Sequence, residues 1–357
     1  MYSVCRLPRS VQKAFCQLER SIKVDTRLNT KRILIFLAFA FGIAWAGVLA
    51  FYLIVGTDDP AEVQRLSKYL NWFFVLPAPT LANVATRLIT GQGWGRLMLR
   101  PNFRRGWRFY LAAWLLPLVA VIVGGAAYYL VFPRSFDPHL GAVRAAVAST
   151  PSLAAASPWT IMLLSTLSTL IVGPVFLGLQ SIGEEFGWRG YLLPKFVERF
   201  TGAEAASGST KDAVPAGVSA AAARKAALLV GVVWSVWHWP GILLEMKTFP
   251  GIPIIFPLVD LVSMCSVSVL LAWVTLRSRS VWPAAIGHAM LNATIALSLN
   301  MLNGLPNRLL GPLPSGLIGG LGYLALALVL LFSRRWLAGE QEARSERVPA
   351  VAVTNPG

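Results

Sequence analysis

The chain has 357 residues, of which 55% are hydrophobic and only 13% charged, with a mean hydropathy of +0.60. An ordinary soluble domain carries roughly 25% charged residues, so a water-soluble fold that hides this much apolar surface is excluded. The net charge of +16 does not signal nucleic acid, because the basic residues stand beside apolar windows in alternate segments rather than along one face.

Taken from the N-terminus, residues 1–31 form a basic segment without the pattern of a cleaved signal peptide. The apolar stretch begins only at Arg32, runs for about 24 residues and has no small-residue cleavage site behind it. Eight windows satisfy the length and polarity of membrane-spanning helices, near 32–55, 70–90, 109–132, 160–190, 226–245, 253–275, 281–300 and 313–333. Lipid cannot pair free backbone N–H and C=O groups, so these windows predict an all-α, multi-pass transmembrane bundle of about eight helices.

Most of the 32 Lys and Arg fall before the first window, in 91–108, 183–225 and 276–280, and after 333. The segments 56–69, 133–158, 245–252 and 301–312 hold few. This positive-inside asymmetry predicts cytoplasmic N- and C-termini, with a bacterial plasma membrane as the expected location. Cys5, Cys16 and Cys265 lack metal-site spacing, and no disulfide framework is expected. Residues 136–158 predict an outside loop with room for a short interfacial helix. Residues 201–223, rich in Ala, Gly and Ser, predict a flexible linker, and the chain after Trp336 predicts a disordered end. The expected organisation is thus a basic segment 1–31, helices and loops over 32–158, a functional core over 159–300, a last spanning helix within 301–336 and a tail over 337–357. No internal repeat suggests the two-fold architecture of a transporter.

Ionisable residues at bilayer depth are costly and are functional candidates by default. Those within the windows are Arg87, Glu184, Glu185, Arg189, His238, Asp260 and His288, with Asn292 as a polar companion. In Gly183-Glu184-Glu185-Phe186-Gly187-Trp188-Arg189-Gly190-Tyr191 the helix is expected to stop at Pro194. Glu185 and Arg189, four apart, face each other as an ion pair. Glu184 points about 100° away with no sequence-local partner, which makes it a candidate general base. The bland alternative makes this stretch a surface loop with solvated charges.

His238 follows Trp234-Ser235-Val236-Trp237, and His288 precedes Asn292 by one turn. Either histidine alone reads first as a structural residue. Two of only three histidines at matching depth, with His139 alone in a loop, point to one shared site. Two imidazoles and a carboxylate can bind Zn²⁺ with an open position for water, or without metal can orient a water that Glu184 deprotonates. Asn292 can donate to a developing oxyanion.

These residues in this order resemble the CPBP family of intramembrane proteases, which includes CAAX prenyl endopeptidases of the Rce1 type and bacteriocin-immunity proteins of the Abi group. Glu184, Glu185 and Arg189 match its Glu-Glu-x-x-x-Arg motif. His238 matches Phe-x-x-x-His with Trp234 in place of Phe, and His288 and Asn292 match His-x-x-x-Asn. The resemblance spans about residues 160–300. It implies that Glu184 activates water, that His238 and His288 bind or orient it, and that Asn292 stabilises the tetrahedral intermediate. Glu185, Arg189 and Trp234 would support the site, and Glu184, His238 and His288 would be the zinc ligands if a metal is used.

The partners expected are membrane lipid and a membrane-associated or prenylated protein or peptide substrate, with no nucleic acid and an oligomeric state left open. Two other readings stand beside proteolysis: a non-catalytic immunity or scaffold protein, and a transporter or proton relay that would also use Asp260.

Overall fold

The computed structural model describes residues 9–95, 97–150, 155–201, 219–249, 251–333 and 336. Residues 202–218 of the predicted 201–223 linker and all of the tail after 336 lie outside them, while 220–223 of that linker are already the start of a helix. Among the described residues the chain is helical and contains no strand, as its composition requires. Six helices are long and apolar enough to cross a membrane: Arg27–Val55, Pro60–Ile89, Gly106–Val131, Pro158–Thr201, Ala220–Thr248 and Phe256–Ser278.

Helix α1 (Arg9–Val55) begins before its apolar stretch and ends at Gly56, whose positive φ of 74° suits a residue without Cβ. Helix α2 (Pro60–Leu70) starts where Asp59 accepts hydrogen bonds from the N–H groups of Ala61 and Glu62. It runs through a π turn (Asn71–Val75) into α3 (Ala78–Ile89), the break lying beside Pro77 and Pro79, which have no N–H to give. Then come α4 (Phe103–Val131) and α5 (Gly141–Ala148), the latter a short helix inside the predicted outside loop.

Helix α6 (Pro158–Gly187) does not stop at Pro194. It passes through a π turn (Trp188–Leu192) into α7 (Leu193–Thr201). Leu193 donates to the carbonyl of Trp188, five residues back, and this widened turn lets the chain carry a proline in the next position without breaking. Helices α8 (Ala220–Thr248) and α9 (Phe256–Ser278) follow as a hairpin.

The last two windows are shorter than the eight-helix pattern requires. The window 281–300 is a 13-residue helix, α10 (Trp282–Thr294), closed by a 3-10 turn (Ile295–Ser298). The window 313–333 retains only 12 helical residues, α11 (Leu321–Phe332). Gly124, Gly319 and Gly322 explain the second loss. Added Cβ atoms would lie 1.8 Å from the Gly319 carbonyl oxygen, 2.1 Å from that of Leu313 and 2.0 Å from that of Ala120. The segment before α11 therefore packs as irregular chain directly on the α4 backbone. Its N–H groups are paired within the segment, as Leu317 with Leu309 and Ile318 with Leu310.

Two sets of cross-links mark the ends of the bundle. At the basic end, Asn102 donates to the carbonyls of Ser278 and Arg279, Trp282 to Leu99 and Asn29 to Lys195. At the opposite end, Asp137 donates from its N–H to Met301, Asn303 donates to Ser135, and Arg308 pairs with Glu245. Between them α6 packs on α10 and α3, and α8 on α9.

Candidate active site

The predicted residues come from three helices, and the fold brings all of their side chains but that of Asn292 into the bundle. The second half of α6 carries Glu184 and Glu185, both buried, so the surface-loop reading of this stretch is overturned. Arg189 follows on the π turn with no exposure at all. Helix α3 fixes this length of α6 from behind, where the Thr80 hydroxyl donates to the Gly183 carbonyl (2.7 Å) and the Asn83 amide to that of Phe186 (3.0 Å). Gly187 allows the approach, since a Cβ there would fall 2.4 Å from Pro79.

Arg189 Nη1 donates to Glu185 Oε1 at 2.8 Å, and both side chains are 0% exposed. This is the pair that the four-residue spacing predicts. The same carboxylate oxygen lies 2.9 Å from His288 Nδ1 on α10. A carboxylate oxygen only accepts, so Nδ1 of His288 carries its proton and Nε2 is the atom left for other work. His238 on α8 arrives at the same arrangement by another route. Its Nδ1 is 2.8 Å from the Trp234 carbonyl oxygen, one turn back, and must donate to it. Both imidazoles are thus held at Nδ1 with Nε2 unclaimed by those bonds.

Glu184 is separate from this group. Its Oε2 accepts the indole N–H of Trp234 at 2.9 Å, a contact that no local spacing foretells because the two residues are 50 apart in sequence. Trp234 is itself almost fully buried. Its ring carries the Arg189 guanidinium over its face at 4.3 Å and meets the His288 ring edge-on, with centroids 5.2 Å apart. The His238 ring lies 5.7 Å from it, within the electrostatic reach of Glu184, Arg189 and His288.

Asn292 is exposed, whereas Glu184, Glu185, Arg189 and His288 are buried and His238 half-buried, and no hydrogen bond of its side chain is found among the described residues. Arg87 and Asp260 do not join the set. Arg87 is buried against Asn83 and the Gly93 carbonyl, with the Tyr191 ring 5.3 Å away. Asp260 lies near the far end of α9, in the field of Glu245.

The donor set is right for zinc in part only. Ligating histidines characteristically give their second nitrogen to a carbonyl or carboxylate, as His238 and His288 do. Yet among the described residues no three His, Cys, Asp or Glu side chains are grouped so as to hold a metal ion, and Glu184 makes no hydrogen bond to either imidazole.

Fold and site together define an all-α integral membrane protein with a buried, hydrogen-bonded centre of carboxylates, imidazoles and guanidinium inside its helical bundle. Residues 163–294, a segment that holds all three motifs, match the family model described as type II CAAX prenyl endopeptidase Rce1-like. No curated protein matches the chain.

Proposed function

We propose that the protein is an intramembrane endopeptidase that hydrolyses a peptide bond of a membrane-associated or prenylated substrate near the cytoplasmic face. The observation that carries this reading is the unequal pairing of two adjacent carboxylates. Glu185 is neutralised by Arg189 and engaged by His288, whereas the partner found for Glu184 is a neutral indole N–H on one oxygen. A carboxylate held by one neutral donor, with its second oxygen available, suits a general base.

Glu184 takes a proton from water, and the oxygen attacks the substrate carbonyl carbon. The Nε2 atoms of His238 and His288, acceptors in this tautomer, orient that water by taking its second O–H. Asn292, exposed at the end of this set, donates its amide to the oxyanion. Collapse of the tetrahedral intermediate breaks the C–N bond, and Glu184 returns its proton to the leaving nitrogen. The Lys- and Arg-rich end of the bundle is taken as cytoplasmic on the positive-inside pattern.

The test compares newly formed protein termini in membranes that carry the wild type or Glu184→Gln, with a quenched peptide ending in a farnesylated Cys-aliphatic-aliphatic-X sequence as the purified assay. Glu184→Gln should lower turnover about 10³-fold, within the usual range for loss of a general base, while the inserted protein stays intact. Unchanged termini together with a retained cellular phenotype would favour an immunity or scaffold role instead.

A further inference from the structure

Trp234 meets four groups of the site, Glu184, Arg189, His288 and His238. Its indole N–H reaches Glu184, its face carries Arg189, its edge meets His288, and its carbonyl oxygen takes the Nδ1 proton of His238. We propose that Trp234 is a positioning residue that fixes the Glu184 carboxylate through its indole N–H and leaves Oε1 turned to the reacting water. The inference rests on the reading of Glu184 as the base.

An ionised carboxylate accepts hydrogen bonds only, and its terminal torsion is broad, so nothing in the glutamate itself selects which oxygen meets the water. The indole supplies a single donor and no acceptor. Its direction is set because the ring is 1% exposed and held between Arg189 and His288. Binding at Oε2 therefore orients the whole carboxyl plane.

The link to His238 runs through the main-chain carbonyl and does not depend on the side chain at 234. Phe, the residue of the resembled motif, would keep the aromatic wall and the face for Arg189 while removing the donor. Position 234 thus separates two roles in one residue: the backbone sets the tautomer of His238, and the side chain aims Glu184.

The decisive variant replaces Trp234 by β-(3-benzothienyl)alanine, which exchanges the indole N–H for sulfur at nearly constant shape, and is compared with Trp234→Phe. On the farnesylated peptide both should lower kcat about tenfold, the worth of one hydrogen bond to a charged group, with little change in KM. The same replacement at Trp114, whose indole donates to the Leu170 carbonyl at 2.8 Å away from the site, should leave kcat at the wild-type value. Wild-type kcat in the benzothienyl variant would overturn the proposal and leave Trp234 as a wall.

If the wild type shows no cleavage that depends on Glu184, the proteolytic reading fails on its own. The indole contact is then read by ultraviolet resonance Raman. The hydrogen-bond-sensitive indole band of Trp234, isolated by subtracting the Trp234→Phe spectrum, should shift in Glu184→Ala. No shift would remove the contact and the proposal with it.

Discussion

The two halves of the span Pro158–Thr201 are one continuous run of helix in two solvents. In the first half, Leu163, Leu167, Ile171, Val175 and Phe176 face outward, and little of the protein covers them. In the second half, from Ser181 to Val197, nearly every side chain is buried, and of the charged ones Glu185, Arg189 and Lys195 are ion-paired while Glu184 accepts the Trp234 indole N–H. Trp188 there packs edge-on against Phe36 and Trp237 at 5.6 and 5.4 Å. The first half is held by lipid and tolerates any apolar residue. The second is held by specific partners, among them the Glu185–Arg189 pair and the Trp234–Glu184 hydrogen bond. Hydropathy alone treats the two as one segment.

The sharpest way to break this comparison is to leave a charge in the second half without its partner. Arg189→Met removes the cation from Glu185 at a site that water does not reach. The expected loss is about 3–5 kcal/mol of stability, read as a lower midpoint of thermal unfolding in detergent. The double variant Glu185→Leu, Arg189→Met should recover part of that loss, since an apolar pair leaves no buried charge. Equal stability of the single variant and the wild type would mean that the pair is solvated after all.

Glycines on the same helix give a smaller, signed contrast. Gly187→Ala drives a Cβ into the Pro79 backbone at 2.5 Å and should cost about 1–3 kcal/mol. Gly178→Ala, with nothing within 4 Å of the added atom, should be neutral or stabilise by up to about 1 kcal/mol through helix propensity. A loss at both positions would deny that only the second half is closely packed.

How much of this the sequence carries follows the same division. The spanning windows and the Glu185–Arg189 pair are legible because they depend on composition and on a four-residue spacing. The order of the three motifs is legible for the same reason. The contacts of Trp234 with Glu184 and of His288 with Glu185 are not, because they join residues 50 and 103 apart through helix packing. The passage through Pro194 was hidden as well, since a proline normally stops a helix and only the π turn before it removes the conflict. The shortness of α11 depends on backbone contacts of Gly124, Gly319 and Gly322, which no hydropathy window registers.

In the lipid-facing half the expected effects nearly vanish. Leu167→Ala exchanges one exposed apolar side chain for a smaller one and should move stability by no more than about 0.5 kcal/mol. The unfolding midpoint in detergent checks it. A loss as large as that of Gly187→Ala would show that this face is covered by protein, in a second copy or a partner, rather than by lipid.

The smallest effect concerns a short element that covers part of that half. Leu140, Val143 and Val147, at and within α5, pack on Ile161 and Met162 of α6 and on Met301. The start of α5 is held by Asp137, whose carboxylate accepts the N–H groups of Gly141 and His139 (2.8 Å for the latter). Those two bonds hold the Asp137 pKa below its ordinary value. A depressed carboxylate contributes fully above its unfolded pKa of about 3.9, and the contribution is lost as pH falls through the lower folded value. The cap should therefore hold near neutrality and loosen only in acid below about pH 4. Amide exchange at His139 and Gly141, corrected for intrinsic rates, should show protection that drops there. In Asp137→Asn, which keeps an acceptor but cannot titrate, protection should be level with pH. Protection in the wild type that stays flat through the acid range would place the hold on α5 in its apolar contacts rather than in Asp137.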